Sequence, residues 1–155
     1  MKIIGIDASS KCTGISSFHN NTLSMYCKID LKKIKDTDER MKQMLDNIIR
    51  NIADEKPDTV YFEDVWMGNN PSTSQLLSQL LGGVWGYCIL NNIYFQKIKP
   101  SAWRKVLGFK GGRLTRDELK QLSIEYVRKE YGIETDDDEA DAICIGTAGL
   151  LLERK

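Results

Sequence analysis

A single histidine, His19, stands in the 155 residues, and that scarcity removes much metal and acid–base chemistry. A His-rich zinc site or a relay between two histidines cannot be built from it. Cysteine offers little more: Cys12, Cys27, Cys88 and Cys144 are far apart, and the lack of any C-x-x-C pair argues against a zinc ribbon or a thioredoxin-type redox centre. They read as reduced, mostly buried small hydrophobes. Long apolar runs are missing as well. Residues 3–6 are cut short by Asp7 and are too few for the core of a signal peptide. The longest apolar stretch, 76–90, contains Ser78, Gln79 and three glycines, which bars it from spanning a bilayer. A soluble, cytoplasmic protein with no membrane partner is expected. Net charge is also absent: 22 basic and 22 acidic side chains cancel, so there is no bulk pull toward nucleic acid or anionic lipid. Any such partner must be held by a local patch.

What the chain does have is enough length for one cored domain over residues 1–155, with 41% hydrophobic and 28% charged residues, an ordinary globular balance. Residues 2–8 form an isoleucine-rich strand that ends on a polar side chain. Residues 12–18 and 22–29 flank His19-Asn20-Asn21, a hairpin signal. Met41, Met44, Leu45, Ile48, Ile49 and Ile52 recur at helical spacing, and Asp36, Asp38 and Glu39 mark the start of that helix. A strand over 59–65, a long helix over 72–90, a strand over 93–98 and a short helix over 100–107 follow. Beyond the glycine-rich loop 108–112, Thr115 and Glu118 predict a capping box for a helix ending near Tyr131, and a last helix covers 138–152. Three hairpin-connected strands followed by alternating helices and strands imply an α/β fold, a mixed β-sheet flanked by α-helices.

Four acids fall where chemistry is plausible. Asp7 ends the first strand. Glu63 lies in an apolar strand, where a charge is costly unless it is paired or bound to metal. Asp138 and Asp141, three residues apart, share one face of the last helix. Hard oxygen ligands without histidine or thiolate suit Mg2+ or Mn2+, and two such ions about 4 Å apart would stabilise the attacking and leaving oxygens of phosphodiester hydrolysis. Crowding these carboxylates without a cation costs about 4 kcal/mol per close pair at an effective dielectric of 20. Asp136 and Glu139 also fit a capping box, with Asp137 and Asp138 favourable near the helix dipole. Either Glu63 or Asp64 can face Asp7, since adjacent strand residues point opposite ways.

Ile4-Gly5-Ile6-Asp7 with Thr13-Gly14, then Phe62-Glu63, then Asp138-Glu139-Ala140-Asp141-Ala142, resembles the RuvC family of Holliday-junction resolvases, within the ribonuclease H-like superfamily. The resemblance continues through Val65-Trp66, Asn70, Ser74, Lys99-Pro100-Ser101, Arg104-Lys105, Arg113 and Thr115-Arg116, and covers nearly the whole chain. It implies a ribonuclease H-like sheet and a dimeric, Mg2+-dependent endonuclease acting on four-way junctions and forks, with two ions per site and Mn2+ as a substitute. Cleavage would leave a 5′-phosphate and a 3′-hydroxyl. Asp7, Glu63, Asp138 and Asp141 would be both catalytic residues and metal ligands, and Trp66 would stack on the junction's open bases. Arg116 stands where a lysine is usual.

Between positions 97 and 120 eight basic residues outnumber two acids, a local excess of six. Lys99, Arg104, Lys105, Lys110, Arg113 and Arg116 are the expected phosphate contacts. On the long helix, Leu76, Leu77, Leu80, Leu81, Val84, Trp85, Cys88 and Ile89 make a broad apolar face. Ser74, Ser78, Gly82 and Gly86 make a ridge of small residues that suits a second subunit. Alternatives at this point are a junction-binding scaffold that does not cut, a related nuclease acting on RNA or replication forks, and an actin- or sugar-kinase-like ATPase. The last needs two lobes where this length supplies one. Small size and a lysine-rich sequence fit a phage or low-GC bacterial source, and hence a host-cell cytoplasm in the first case.

Overall fold

The computed structural model describes residues 1–65, 70–109 and 111–154. Its elements run β1 (Lys2–Asp7), β2 (Cys12–His19), β3 (Thr22–Asp30), α1 (Thr37–Glu55), β4 (Thr59–Glu63), α2 (Pro71–Leu90), β5 (Tyr94–Ile98), α3 (Pro100–Val106), α4 (Arg116–Tyr131) and α5 (Asp137–Glu153). The sheet has the order β3-β2-β1-β4-β5. β1, β2 and β3 pair antiparallel, whereas β4 and β5 join in parallel beyond β1. Asn20 and Asn21 both take positive φ, 48° and 69°, which gives the tight two-residue turn that carries β2 into β3.

Side chains of β1 and β4 alternate between two cores. Ile4, Ile6, Val60 and Phe62 pack with Met44, Ile48 and Ile52 of α1 and Leu80, Val84 and Cys88 of α2. Ile3 and Tyr61 face the other way, onto Ala140, Ile143, Cys144 and Ala148 of α5, with Trp103 and Val127 in the same cluster. Helix starts follow the predicted caps. The Asp36 side chain accepts from Glu39 N at 2.8 Å, and the Thr115–Glu118 and Asp136–Glu139 capping boxes are both formed.

The differences from expectation are local. β4 stops at Glu63, two residues before Val65, and α2 buries only part of its apolar face. Leu80, Val84 and Cys88 are inside, but Trp85 is 50% and Ile89 52% exposed. All four cysteines are free, and Cys12, Cys88 and Cys144 are buried. Among the described residues no helix is long and apolar enough to cross a membrane.

Candidate active site

The site is made by the close approach of α5 to the sheet. Residues 3, 5 and 7 of β1 face α5, and position 5 is glycine because nothing larger fits: a Cβ there would lie 2.4 Å from Gly146 N and 2.5 Å from Ala142 O. At Gly14, paired with Asp7 across β1 and β2, a Cβ would lie 2.0 Å from the Asp138 carbonyl oxygen. These two glycines let the amino-terminal turn of α5 sit directly over the end of β1. Ser16 Oγ donates to Ala142 O at 2.7 Å and holds the contact. The parallel register Ile6↔Phe62 then sets Glu63 beside Asp7.

The alternation of β4 resolves the choice between the adjacent acids. Tyr61 packs toward α5, so Glu63, two residues on, faces the same side. Asp64 points away and pairs with Lys97 of β5 at 3.6 Å.

Asp7, Glu63, Asp138 and Asp141 thus meet in one electrostatic cluster. Burial, and then the charges of Glu63, Asp141, Asp138 and Asp137, push the Asp7 carboxyl well above the usual range. Burial raises Glu63 too; the hydrogen bond from Trp103 and the charge of Arg104 oppose the rise, and Asp141 adds to it. Asp141 is pushed up to about 6, chiefly by burial, against the lowering influence of the Ser123 hydroxyl and Arg104. Among the described residues, buried Asp141 Oδ1 has no hydrogen-bond partner. An orphaned carboxylate oxygen among three further acids is the donor set a hard divalent cation would complete. The residues therefore fit such an ion.

The neighbouring acids are occupied differently. Asp136, Asp137 and Asp138 offer oxygens within 4.8 Å of one another. Asp136, however, caps α5 and binds Lys28 Nζ, and Asp137 binds Lys120 Nζ. Two of that trio already have ammonium partners, which leaves Asp138 to the cluster with Asp7. The Cys12 thiol bonds to Asp138 and is pushed up to about 12, by burial first and then by that carboxylate, so it stays protonated.

Of the expected DNA contacts, Lys99, Lys105, Arg113 and Arg116 are exposed. Arg104 is placed differently. It is half-buried, its guanidinium carbon lies 4.7 Å over the Trp103 ring, and its charge acts on Glu63 and Asp141. Lys97 and Lys120, counted in the basic excess, are taken by Asp64 and Asp137. Trp66 and Lys110 lie outside the described residues. Sequence reasoning missed Trp103, Lys28, Lys120 and Ser123, which reach the acids from other elements. Of these, Trp103, in α3 beside Arg104, carried a readable signal.

A three-stranded antiparallel hairpin extended by parallel strands and flanked by helices, with carboxylates at the ends of β1 and β4 and on the last helix, is the ribonuclease H-like class of fold. The family model described as crossover junction endodeoxyribonuclease RuvC matches residues 3–147, from the first strand to beyond Asp141. The chain belongs to the RuvC family, and with it to the divalent-metal-using nucleases. It is 25% identical to the crossover junction endodeoxyribonuclease RuvC of Ralstonia pickettii over 98% of this chain and 87% of that one. In fold it is similar to the Thermus thermophilus RuvC solved with a Holliday junction substrate, with a TM-score of 0.78 at 15% identity over 99% of this chain and 95% of the other. The fowlpox virus resolvase solved with Holliday junction DNA gives 0.71 at 20% identity, with both chains covered completely (100% and 100%).

Proposed function

We propose that the protein is a homodimeric, Mg2+-dependent endonuclease that cuts Holliday junctions and other branched DNA, leaving 5′-phosphate and 3′-hydroxyl ends. The observation that carries this is the convergence of Asp7, Glu63, Asp138 and Asp141 from β1, β4 and α5, tempered by Trp103, Arg104 and Ser123. Bound at these carboxylates, two Mg2+ ions, or Mn2+ in their place, supply an activated water and Lewis acidity toward the phosphate. Asp7, central among the acids, would hold the cations together with Glu63, Asp138 and Asp141. Arg104, whose charge reaches Glu63 and Asp141, faces the same place and would stabilise negative charge developing on the phosphate. Lys99, Lys105, Arg113 and Arg116 grip flanking phosphates, as does Lys110, while Trp66 stacks on unpaired bases; the Lys110 assignment rests on the local basic excess and that of Trp66 on the family resemblance.

The dimer is supported by the outer face of α2. A Cβ at Gly82 or Gly86 would meet nothing within 4 Å among the described residues, so packing against them does not require these glycines. Two helical glycines costing up to about 1 kcal/mol each, beside half-exposed Trp85 and Ile89, suit the close approach of a second α2.

A synthetic four-way junction is the test. Nicking in Mg2+ and none in EDTA is expected, with Asp141→Asn binding the junction but leaving it whole. Tight binding by the wild type without cleavage in either Mg2+ or Mn2+ would favour a scaffold instead. Comparing junction, fork and linear duplex sets the substrate range.

A further inference from the structure

Trp103 is fully buried at 0% exposure, yet its indole Nε1–H donates to Glu63 Oε2 at 2.7 Å. A buried tryptophan needs a partner for its N–H, and here that partner belongs to the acid cluster. The ring is wedged on several sides. Phe109 stacks edge-on at 5.8 Å and is itself edge-on to Tyr126 at 5.5 Å, while Arg104 lies over the indole at 4.7 Å. The donor's direction is therefore set by α3, the start of the glycine loop and α4 together, none of which carries one of the four acids.

We infer that Trp103 is a positioning residue for the metal site: its N–H clamps one oxygen of Glu63 in a single orientation and leaves the other for the cation, while its ring face holds Arg104 beside the same acids. This rests on the reading of Glu63 as a metal ligand. A glutamate at the end of a strand has three side-chain torsions to fix, and a rigid donor removes that freedom before the cation arrives. Partners that orient a ligating carboxylate from outside typically matter about 10–100-fold in metal affinity or activity when removed. The hydrogen bond also stabilises the ionised carboxylate, the form a cation needs.

Two replacements separate the N–H from the bulk of the ring. Trp103→Phe deletes the donor and some volume. Site-specific incorporation of 3-benzothienylalanine at position 103 keeps the bicyclic ring and its face for Arg104 but puts sulfur in place of N–H. Mn2+ binding to the DNA-free protein, read from the free-ion electron paramagnetic resonance signal, should weaken about tenfold in the benzothienyl protein. The Mg2+ concentration for half-maximal junction cleavage should rise by a similar factor. Junction binding in EDTA should stay at its wild-type value, and circular dichroism should show the fold intact. In a Glu63→Gln background, Trp103→Phe should add no further loss of Mn2+ affinity, because the clamp acts through Glu63; a purely packing role would lower affinity in both backgrounds. Unchanged Mn2+ binding in the benzothienyl protein overturns the inference. If Glu63→Gln alone leaves Mn2+ binding intact, the assignment of Glu63 as a ligand falls, and the clamp falls with it.

Discussion

Asp141 is the residue at which the cost of assembling this site can be measured. Its carboxyl titrates at about 6 in the folded protein against an ordinary value of 3.8, because burial disfavours the charged form. A raised folded-state value means that the protonated group carries stability. That stability is whole below about pH 4 and is lost as pH rises through about 6. At 1.36 kcal/mol per unit, the difference is worth up to about 3 kcal/mol at neutral pH. Divalent metal reverses the slope, since cation and proton compete for the same oxygens. In EDTA, Asp141→Asn should therefore raise the unfolding midpoint at pH 7 by several degrees and flatten its decline between pH 4 and 6. Thermal melts from pH 4 to 8 read this directly. A variant whose melting curve parallels the wild type across that range would show that Asp141 does not carry the strain.

At the scale of elements, the decisive feature is how near α5 comes to the sheet. Gly14→Ala would put a Cβ 2.0 Å from the Asp138 carbonyl, and neither strand nor helix backbone can give way cheaply. Overpacking of this kind costs about 1–3 kcal/mol. Because the first turn of α5 must retreat, cleavage should fall more than tenfold while junction binding through exposed Lys105, Arg113 and Arg116 is retained; gel-shift and nicking assays on one preparation separate the two. Much of this element was legible beforehand. Asp136 followed by Glu139 signals a capped helix start, and the spacing of Asp138 and Asp141 puts both on one side. The hairpin at Asn20-Asn21 and the apolar stripe of α1 were likewise readable, because turn chemistry and helical periodicity are local. What could not be read was contact between distant segments. The side of β4 that faces α5 is decided by Tyr61 packing on that helix, so Glu63 and Asp64 are equivalent until the layers are assembled. Lys28 reaches Asp136 across 108 residues of sequence, a pairing no spacing rule encodes. Arg104 looked like one more basic residue of a DNA patch until α3 laid it over Trp103, next to the acids.

For the whole molecule, a net charge of zero is a sum of segregated parts. Acids crowd the end of β1 and the start of α5, ammonium groups of Lys28 and Lys120 neutralise the outer two, and exposed arginines and lysines lie along the approach to α4. One such copy offers one cluster of carboxylates, whereas resolving a four-way junction requires two strands of like polarity to be cut. The proposed twofold pair, joined along α2, would present two sites related as those strands are. The surface available is the strip of Gly82, Trp85, Gly86 and Ile89, with Trp85 and Ile89 half-exposed. Charge buried in such a strip is strongly unfavourable unless paired, so Trp85→Glu combined with Ile89→Glu should convert the protein to a monomer by sedimentation velocity, with its fold intact by circular dichroism. The consequence for cutting is specific. On a supercoiled plasmid carrying an extruded cruciform, a first nick releases the torsion that maintains the junction, so a second incision occurs only if both sites act within the lifetime of one complex. The wild type should yield linear plasmid, and the double variant should yield nicked circles at a reduced rate. Linear product from a protein shown to be monomeric would mean that α2 does not couple the two incisions.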